Sequence, residues 1–441
     1  MNGILNLFVS IVQSPAMLVG LLAVLGLILQ KKKATEVIQG GIKTFVGFLV
    51  LTGGAGILSN ALTPFAKMFK FALHVQGVVP SNEAVVAIAL VKYGSVTALI
   101  MLVGMIVNIL LARFTKFKYI FLTGQAMLYV SCLAAVILVS AGMGSGWQTI
   151  LLGGLFEGTL LTVTPALCQP FMRKITGGDT VAMGHTGNIG YAIAGWCGKL
   201  FGNSKHSTED IEFPKALGFL RDSTVSITLL MGIVYIVLAI VAGPHFVETK
   251  LSAGTFAAGF AVVLQGVRLI LAEIVPAFQG IAMKLVPNSK PALDVPIIFP
   301  YAPNAVLLGF FVSFLVGTIS MFIMVGMHTT VIIPGVVGHF FCGAAAAIYG
   351  NAFGGRRGAV IGSAVNGLLI SWLPLYILPV LGDLKMAAST FADTDYLIPG
   401  ILLGKLGSFG SVALTCGIIG FTVVVILVSV LMKSPKQAEN K

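Results

Sequence analysis

Ala182-Met183-Gly184-His185-Thr186-Gly187-Asn188 lies in an apolar, glycine-rich run with basic residues on both sides, Arg173 and Lys174 before it and Lys199, Lys205, Lys215 and Arg221 after it. Lysine and arginine collect on the cytoplasmic side of membrane proteins, so the run is expected to enter and leave by the same face. Irregular, Gly-broken backbone at membrane depth is tolerated only where protein buries it or where it lines a watery cavity. A histidine placed in such a cavity points to a substrate site.

The rest of the chain agrees with a membrane setting. Its 441 residues are 57% hydrophobic and only 10% charged, with a mean hydropathy of +1.00, whereas soluble domains carry about 25% charge. The net charge of +12 is not a nucleic-acid stripe, because the basic residues form short clusters between apolar runs and read as topology signals. Cys132, Cys168, Cys197, Cys342 and Cys416 stand singly in apolar runs with no CxxC pair, so neither a disulfide framework nor a zinc site is expected, and no metal or cofactor is called for. The first residues lack a basic start and a small-residue cleavage site, so no removable signal peptide is read there.

Apolar runs long enough to span a bilayer fall near 14–30, 37–60, 85–112, 119–141, 148–172, 223–243, 257–283, 304–326, 328–352, 358–382 and 405–432. The expected fold is an all-α polytopic membrane protein of about eleven transmembrane helices. Lys31-Lys32-Lys33, Arg113/Lys116/Lys118, Arg173/Lys174, Lys284/Lys290, Arg356/Arg357 and Lys433/Lys436/Lys441 mark one face, and Asp383, Asp393 and Asp395 the other. The N-terminus is therefore expected outside and the C-terminus in the cytoplasm.

Residues 65–84, 179–202 and 284–303, with 385–404 as a weaker fourth, are too apolar for loops and too broken for spans. They are expected to be re-entrant or half-helical, with free backbone ends available to a polar ligand. An internal repeat supports this. Gly47-Phe48, Gly54, Pro64 and Asn82 recur at one fixed offset as Gly259-Phe260, Gly266, Pro276 and Asp294. At an offset that shortens slowly along the chain, Gly124 returns as Gly335, then Gly153, Gly158 and Pro165 as Gly362, Gly367 and Pro374, and Gly198-Lys199-Leu200 as Gly404-Lys405-Leu406. The second copy begins an odd number of spans after the first, so the copies are expected to be inverted, an arrangement that suits alternating access around a midplane site.

From Gln265 to Val306 the pattern becomes specific: Gln265-Gly266-Val267-Arg268, Ala272-Glu273, Ala277-Phe278-Gln279-Gly280, then Asp294 ahead of Tyr301-Ala302-Pro303-Asn304-Ala305-Val306. With Gly41-Ile42-Lys43-Thr44, Gly54-Ala55-Gly56-Ile57-Leu58, Leu122-Thr123-Gly124, Gly184-His185 and Phe353-Gly354-Gly355, it resembles the membrane component (EIIC) of the ascorbate family of the phosphoenolpyruvate-dependent sugar phosphotransferase system, over nearly the whole chain. The resemblance implies a homodimer in the bacterial inner membrane, in which a transport core (65–222 and 284–432) bearing re-entrant hairpins moves against a V-shaped scaffold (1–64 and 223–283), with 433–441 as a cytoplasmic tail. It also implies that separate IIB and IIA proteins phosphorylate the imported sugar.

Carried over residue by residue, the resemblance assigns ligand contact to His185 and Asp294. Gln125 and Tyr129 stand where the family has His and, four residues on, Gln; Thr186 stands where it has Gln; the external-side positions fall on Asn82 and Glu83. All seven are hydrogen-bonding types, as a polyhydroxy ligand requires. Each also has a plainer explanation. Asp294 could cap a half-helix, and His185 could be a core histidine held by a carbonyl. Arg268 and Glu273, five apart in one span, are expected to pair structurally elsewhere, since a charge at membrane depth costs about 2.5–3.5 kcal/mol. Glu157, in the fifth span, is a candidate proton or ligand site, although its repeat counterpart is the neutral Asn366. His74, His245, His328 and His339 show no ligand-like grouping.

No cysteine sits in a phosphate-cradling loop of a soluble domain, and the largest soluble segment, about 202–222, is too short for one. The expectation is a non-enzymatic transport subunit for ascorbate, or for another polyol or sugar acid, that depends on partner proteins for phosphoryl transfer. The competing reading is a proton-coupled secondary transporter of a sugar acid, with Glu157 or Asp294 carrying the proton.

Overall fold

The computed structural model describes residues 15–211, 284–386 and 388–432, with scattered helical positions between 229 and 272. The expected span at 223–243, most of that at 257–283, Glu273 and the tail lie largely or wholly outside the described residues.

The helices are α1 (Pro15–Leu29), α2 (Ala34–Leu73), α3 (Asn82–Phe114), α4 (Gly124–Leu138), α5 (Trp147–Thr176), α6 (Asn188–Phe201), α7 (Ala261–Ile270), α8 (Pro303–Gly326), α9 (Val336–Ile377), α10 (Thr394–Ser408) and α11 (Ser411–Leu431). Among the described residues, seven helical stretches are long and apolar enough to cross a membrane. In hydrocarbon every backbone polar group needs a partner within the protein, which favours unbroken helix along each apolar run. Ends fall where the sequence supplies stops. Ser81 caps α3, its Oγ accepting the Ala84 N–H at 3.3 Å, and α2 stops at His74 in the left-handed conformation (φ 55°).

α9 is one helix by hydrogen bonding and two by geometry. Gly355 has φ 56° and ψ −154°, outside helical space, and beyond it the chain returns along itself. A Cβ placed on Gly350 would lie 2.2 Å from the Gly358 carbonyl oxygen, whereas a straight helix would separate these residues by about 12 Å. The fold-back coincides with Arg356-Arg357, where the sequence placed a cytoplasmic loop between two spans. Arg356 is held there by the segment after α6, donating through Nε to the Ser207 carbonyl at 3.0 Å and approaching Asp210 at 3.6 Å.

The all-α expectation needs correction at the broken segments. Among the described residues six short strands, β1 (Gly77–Pro80), β2 (Tyr119–Phe121), β3 (Ala182–Met183), β4 (Lys290–Leu293), β5 (Val331–Ile332) and β6 (Ser389–Thr390), form two three-stranded parallel sheets in the orders β5-β1-β6 and β2-β4-β3. The register pairs Gly77 with Val331, Val79 with Ser389, Tyr119 with Lys290 and Ala182 with Ala292. The reason is the one that makes the helices: extended backbone in an apolar interior must find donors and acceptors, and here it finds them in other broken segments. Gly184 follows from this pairing, since its Cβ would meet the Ala292 carbonyl oxygen at 2.3 Å, so only glycine lets β4 lie so close.

The fourth broken segment, read as the weakest, is as well formed as the others. The expected span at 405–432 is split, with α10 ending at Ser408 and α11 beginning at Ser411. α6 and α10 meet at their N-termini. Ile189 N–H donates to Asp395 Oδ1 at 2.8 Å, Gly190 N–H to Thr394 Oγ1 at 3.0 Å, and Asp395 N–H to the Thr186 carbonyl at 2.8 Å. The bulkiest fully buried side chains, Tyr191, Tyr349, Tyr396, Phe310 and Phe391, belong to these segments and the helices beside them. The outer surfaces of α11 and α3 expose Val412, Val430, Leu431 and Phe114, which suits lipid as solvent.

Candidate functional site

A cavity of about 280 Å³ opens among the broken segments, lined by Asn82, Glu83, Gln125, His185, Arg268, Asp294, Val295, Pro296, Val337, Gly338, Phe341 and Asp393. This is near the lower end of small-ligand pocket sizes, roughly 300 Å³. Five of the seven residues singled out from sequence line it. They come from the starts of α3 and α4, from the turn after β3, and from the residue after β4, so the two sheets and the helix ends after them bring the group together.

Asn82 is fixed by accepting the Ala392 N–H on Oδ1 at 2.8 Å, leaving its amide NH₂ as a donor for the cavity. Glu83 accepts from the Ser81 hydroxyl at 3.2 Å. Asp294 caps a turn and also lines the cavity. Its Oδ1 accepts the Val295 N–H at 2.7 Å, capping the 3-10 turn Val295–Tyr301, while Oδ2 accepts from Gln125 Nε2 at 3.3 Å. A carboxylate has about four acceptor positions, so two remain.

His185 is oriented by its own turn. Its Nδ1 accepts the Gly187 N–H at 3.2 Å and lies 2.7 Å from the Tyr191 hydroxyl, and the Tyr191 ring stacks on it with centroids 5.8 Å apart. Because Nδ1 is an acceptor, the ring hydrogen is on Nε2, 3.9 Å from Asp393 Oδ2. That distance is too long for a direct hydrogen bond and leaves the N–H available to a ligand hydroxyl.

Thr186 and Tyr129 do not line the cavity. Thr186 stands behind it, donating to Asp393 Oδ2 at 2.8 Å, which makes it a positioning residue for a carboxylate that the sequence reading missed. Tyr129 is buried one helical turn beyond Gln125, with no hydrogen-bond partner for its hydroxyl among the described residues. From sequence Asp393 only marks the outer face, whereas in the structure it lines the cavity. A step along the chain could have pointed to it: β3 starts at Ala182 and β6 at Ser389, and the same step carries Thr186 to Asp393. Arg268, expected to pair elsewhere, lines the cavity instead. Glu157 is away from it, fully buried, with Oε2 accepting the Ser131 hydroxyl at 2.8 Å. His339 is likewise a core residue, held by Ser313 at 2.8 Å.

Outside the spans, Asp179 ties three segments together. It pairs with Arg173 at 2.8 Å and Lys290 at 2.5 Å and accepts from Gln169 Nε2 at 2.8 Å. Burial alone raises its carboxyl, but these donors outweigh burial and hold it down to about 2. The end of α5, the turn before β3 and the start of β4 are thereby pinned at the basic face.

Residues 10–395 match the family of PTS system sugar-specific permease components, EIIC-GAT. The chain belongs to this permease family. It is also 26% identical over 421 residues to the ascorbate-specific PTS system EIIC component of Mycoplasma pneumoniae, an alignment that covers 81% of this chain and 64% of that protein. The chain thus spans less than two thirds of that relative's length. Among the described residues, seven helical stretches are long and apolar enough to cross a membrane, which together with the family match makes the chain a multi-pass membrane protein of the PTS permease family.

Proposed function

We propose that this permease takes up L-ascorbate or a closely related sugar acid, and that separate IIB and IIA proteins phosphorylate the sugar as it reaches the cytoplasm. The observation that carries this reading is the convergence of Asn82, Glu83, Gln125, His185, Asp294 and Asp393 on one cavity. Three carboxyl groups, two amides and an imidazole N–H supply alternating acceptors and donors, the complement of a compact ring bearing several hydroxyls. The relative's specificity for ascorbate points to the same class. Gln125 in the cavity wall, backed by Tyr129 one turn beyond it and by Thr186, which holds Asp393, is where this chain would set its own preference.

The mechanism follows from the repeat. β1, β2 and β3 start at Gly77, Tyr119 and Ala182, and β4, β5 and β6 start at Lys290, Val331 and Ser389, so each later strand trails its earlier counterpart by nearly the offset of the sequence repeat. Each sheet takes its central strand from one copy and both flanking strands from the other. Such an exchange supports eleven spans in two inverted halves, with α6 and α10 as half-helices running from the midplane to opposite faces. Alternating access is then a rigid movement of the sheet-bearing core (65–222 and 284–432) against the scaffold (1–64 and 223–283), in a homodimer with the N-terminus outside and the C-terminus in the cytoplasm. Burial of Glu157 away from the cavity favours phosphoryl-coupled uptake over proton coupling.

The test is equilibrium binding of labelled L-ascorbate to the purified chain, with competition by other sugar acids and by pentitols and hexitols. The expected result is saturable binding displaced by unlabelled ascorbate. No saturable binding of any sugar acid or polyol refutes the assignment of the cavity.

A further inference from the structure

Among the described residues, the cavity wall holds a single permanent cation. Arg268 lines it together with Glu83, Asp294 and Asp393, yet the guanidinium makes no ion pair or hydrogen bond with any described residue. An arginine in an apolar span is costly and is retained where it pairs or faces a polar pathway. Here it faces a pathway, and among the described residues its five donors are unused. Its backbone is held by a close helix crossing. A Cβ on Gly266 would meet the Leu51 N at 2.4 Å, and one on Gly47 would meet Leu269 Cβ at 2.7 Å, so α7 is locked against α2 while the Arg268 side chain stays exposed.

The charges decide what this arrangement accepts. Neutral hydroxyls are served by the carboxylates, amides and imidazole already described and have no need of a guanidinium. An anion entering beside three carboxyl groups meets repulsion unless a cation offsets it, and in a low-dielectric site that offset is large. A guanidinium is also a planar fork that matches two oxygens of a delocalised anion. We propose that Arg268 is the anion-recognising residue of this cavity. It binds the ionised oxygen edge of a sugar acid, a carboxylate or an enolate such as that of ascorbate, and makes the permease selective for acidic over neutral sugars. The proposal rests on the sugar-permease reading above and adds to it a ligand charge and a residue. A bound anion would also link α7 to the residues that follow β3, β4 and β6.

The experiment uses the full chain in lipid nanodiscs and compares wild type, Arg268→Gln and Arg268→Lys for binding of L-ascorbate and of a neutral pentitol. Arg268→Gln should weaken ascorbate binding by about ten- to a hundredfold and leave the pentitol within about twofold, with Arg268→Lys in between. As a check independent of any variant's folding, wild-type affinity for ascorbate should fall as chloride is raised, and pentitol affinity should not. Three results overturn the proposal: unchanged ascorbate affinity in a folded Arg268→Gln protein, equal weakening of both ligands, or wild type binding the pentitol and not ascorbate. Wild type binding neither ligand removes the sugar-site reading itself, and the proposal with it.

Discussion

Replacing Asp294 with asparagine separates its two roles. Oδ1 accepts the Val295 N–H at 2.7 Å and Oδ2 accepts from Gln125 at 3.3 Å. Asparagine keeps a carbonyl oxygen for the cap, and Gln125 can turn its own amide to present an oxygen to the new NH₂, so the fold is retained. What is lost is a charged acceptor with two positions free toward the cavity. Hydrogen bonds to charged groups are worth about 1.5–3 kcal/mol, so ascorbate affinity should drop about ten- to a hundredfold. The assay is isothermal titration of purified protein, with the melting temperature as a control for folding. An Asp294→Asn protein that melts like wild type and binds ascorbate with unchanged affinity would reduce Asp294 to a helix cap.

Other outcomes follow from single features. Gln125→His with Tyr129→Gln restores the family's pair and should raise ascorbate affinity relative to pentitols in competition binding; an unmoved rank order removes both positions from ligand selection. Gly350→Ala places a Cβ 2.2 Å from the Gly358 carbonyl oxygen, an overpacking that should cost about 1–3 kcal/mol and lower the melting temperature, whereas a wild-type melt would mean that the arms of α9 are not in contact. Asp179 has a folded-state carboxyl held down to about 2, below the ordinary value of about 3.9. Its stabilising effect is therefore complete above about pH 4 and is lost as pH falls toward 2. Melts of wild type and Asp179→Asn in detergent should differ at pH 5 and converge near pH 2, and a gap independent of pH contradicts the pairing.

Much of the site was readable from sequence because helix breakers are conspicuous in an apolar chain. Gly184 and Gly187 around His185, and the prolines around Asp294, mark backbone that cannot continue as helix, and polar side chains in such places face a cavity or a partner. The strands were not readable. Each is too short to show an alternating pattern, and the pairing partners lie in the other half of the chain, as with Val79 and Pro80 against Ser389 and Thr390. Asp393 was hidden for a related reason. Its segment has few glycines of its own, and its place beside Thr186 comes from the meeting of two half-helix N-termini, which only the repeat offset could have indicated. The place of Arg268 in the cavity wall gave no such signal, because it sits in a span five positions from a glutamate that is a poor partner for it, and the cavity it lines is assembled from segments far apart in the chain.

Phosphoryl transfer, and not an ion gradient, is the driving force proposed for this permease and its acidic sugar. Proteoliposomes bearing the purified chain, loaded with IIB, IIA, the general phosphotransferase proteins and phosphoenolpyruvate, and supplied with labelled L-ascorbate outside, test this most directly. Phosphorylated ascorbate should accumulate inside, undiminished when the pH gradient is collapsed and abolished when IIB is omitted. Accumulation of unmodified ascorbate driven by a pH gradient alone, without phosphoenolpyruvate or IIB, would contradict it.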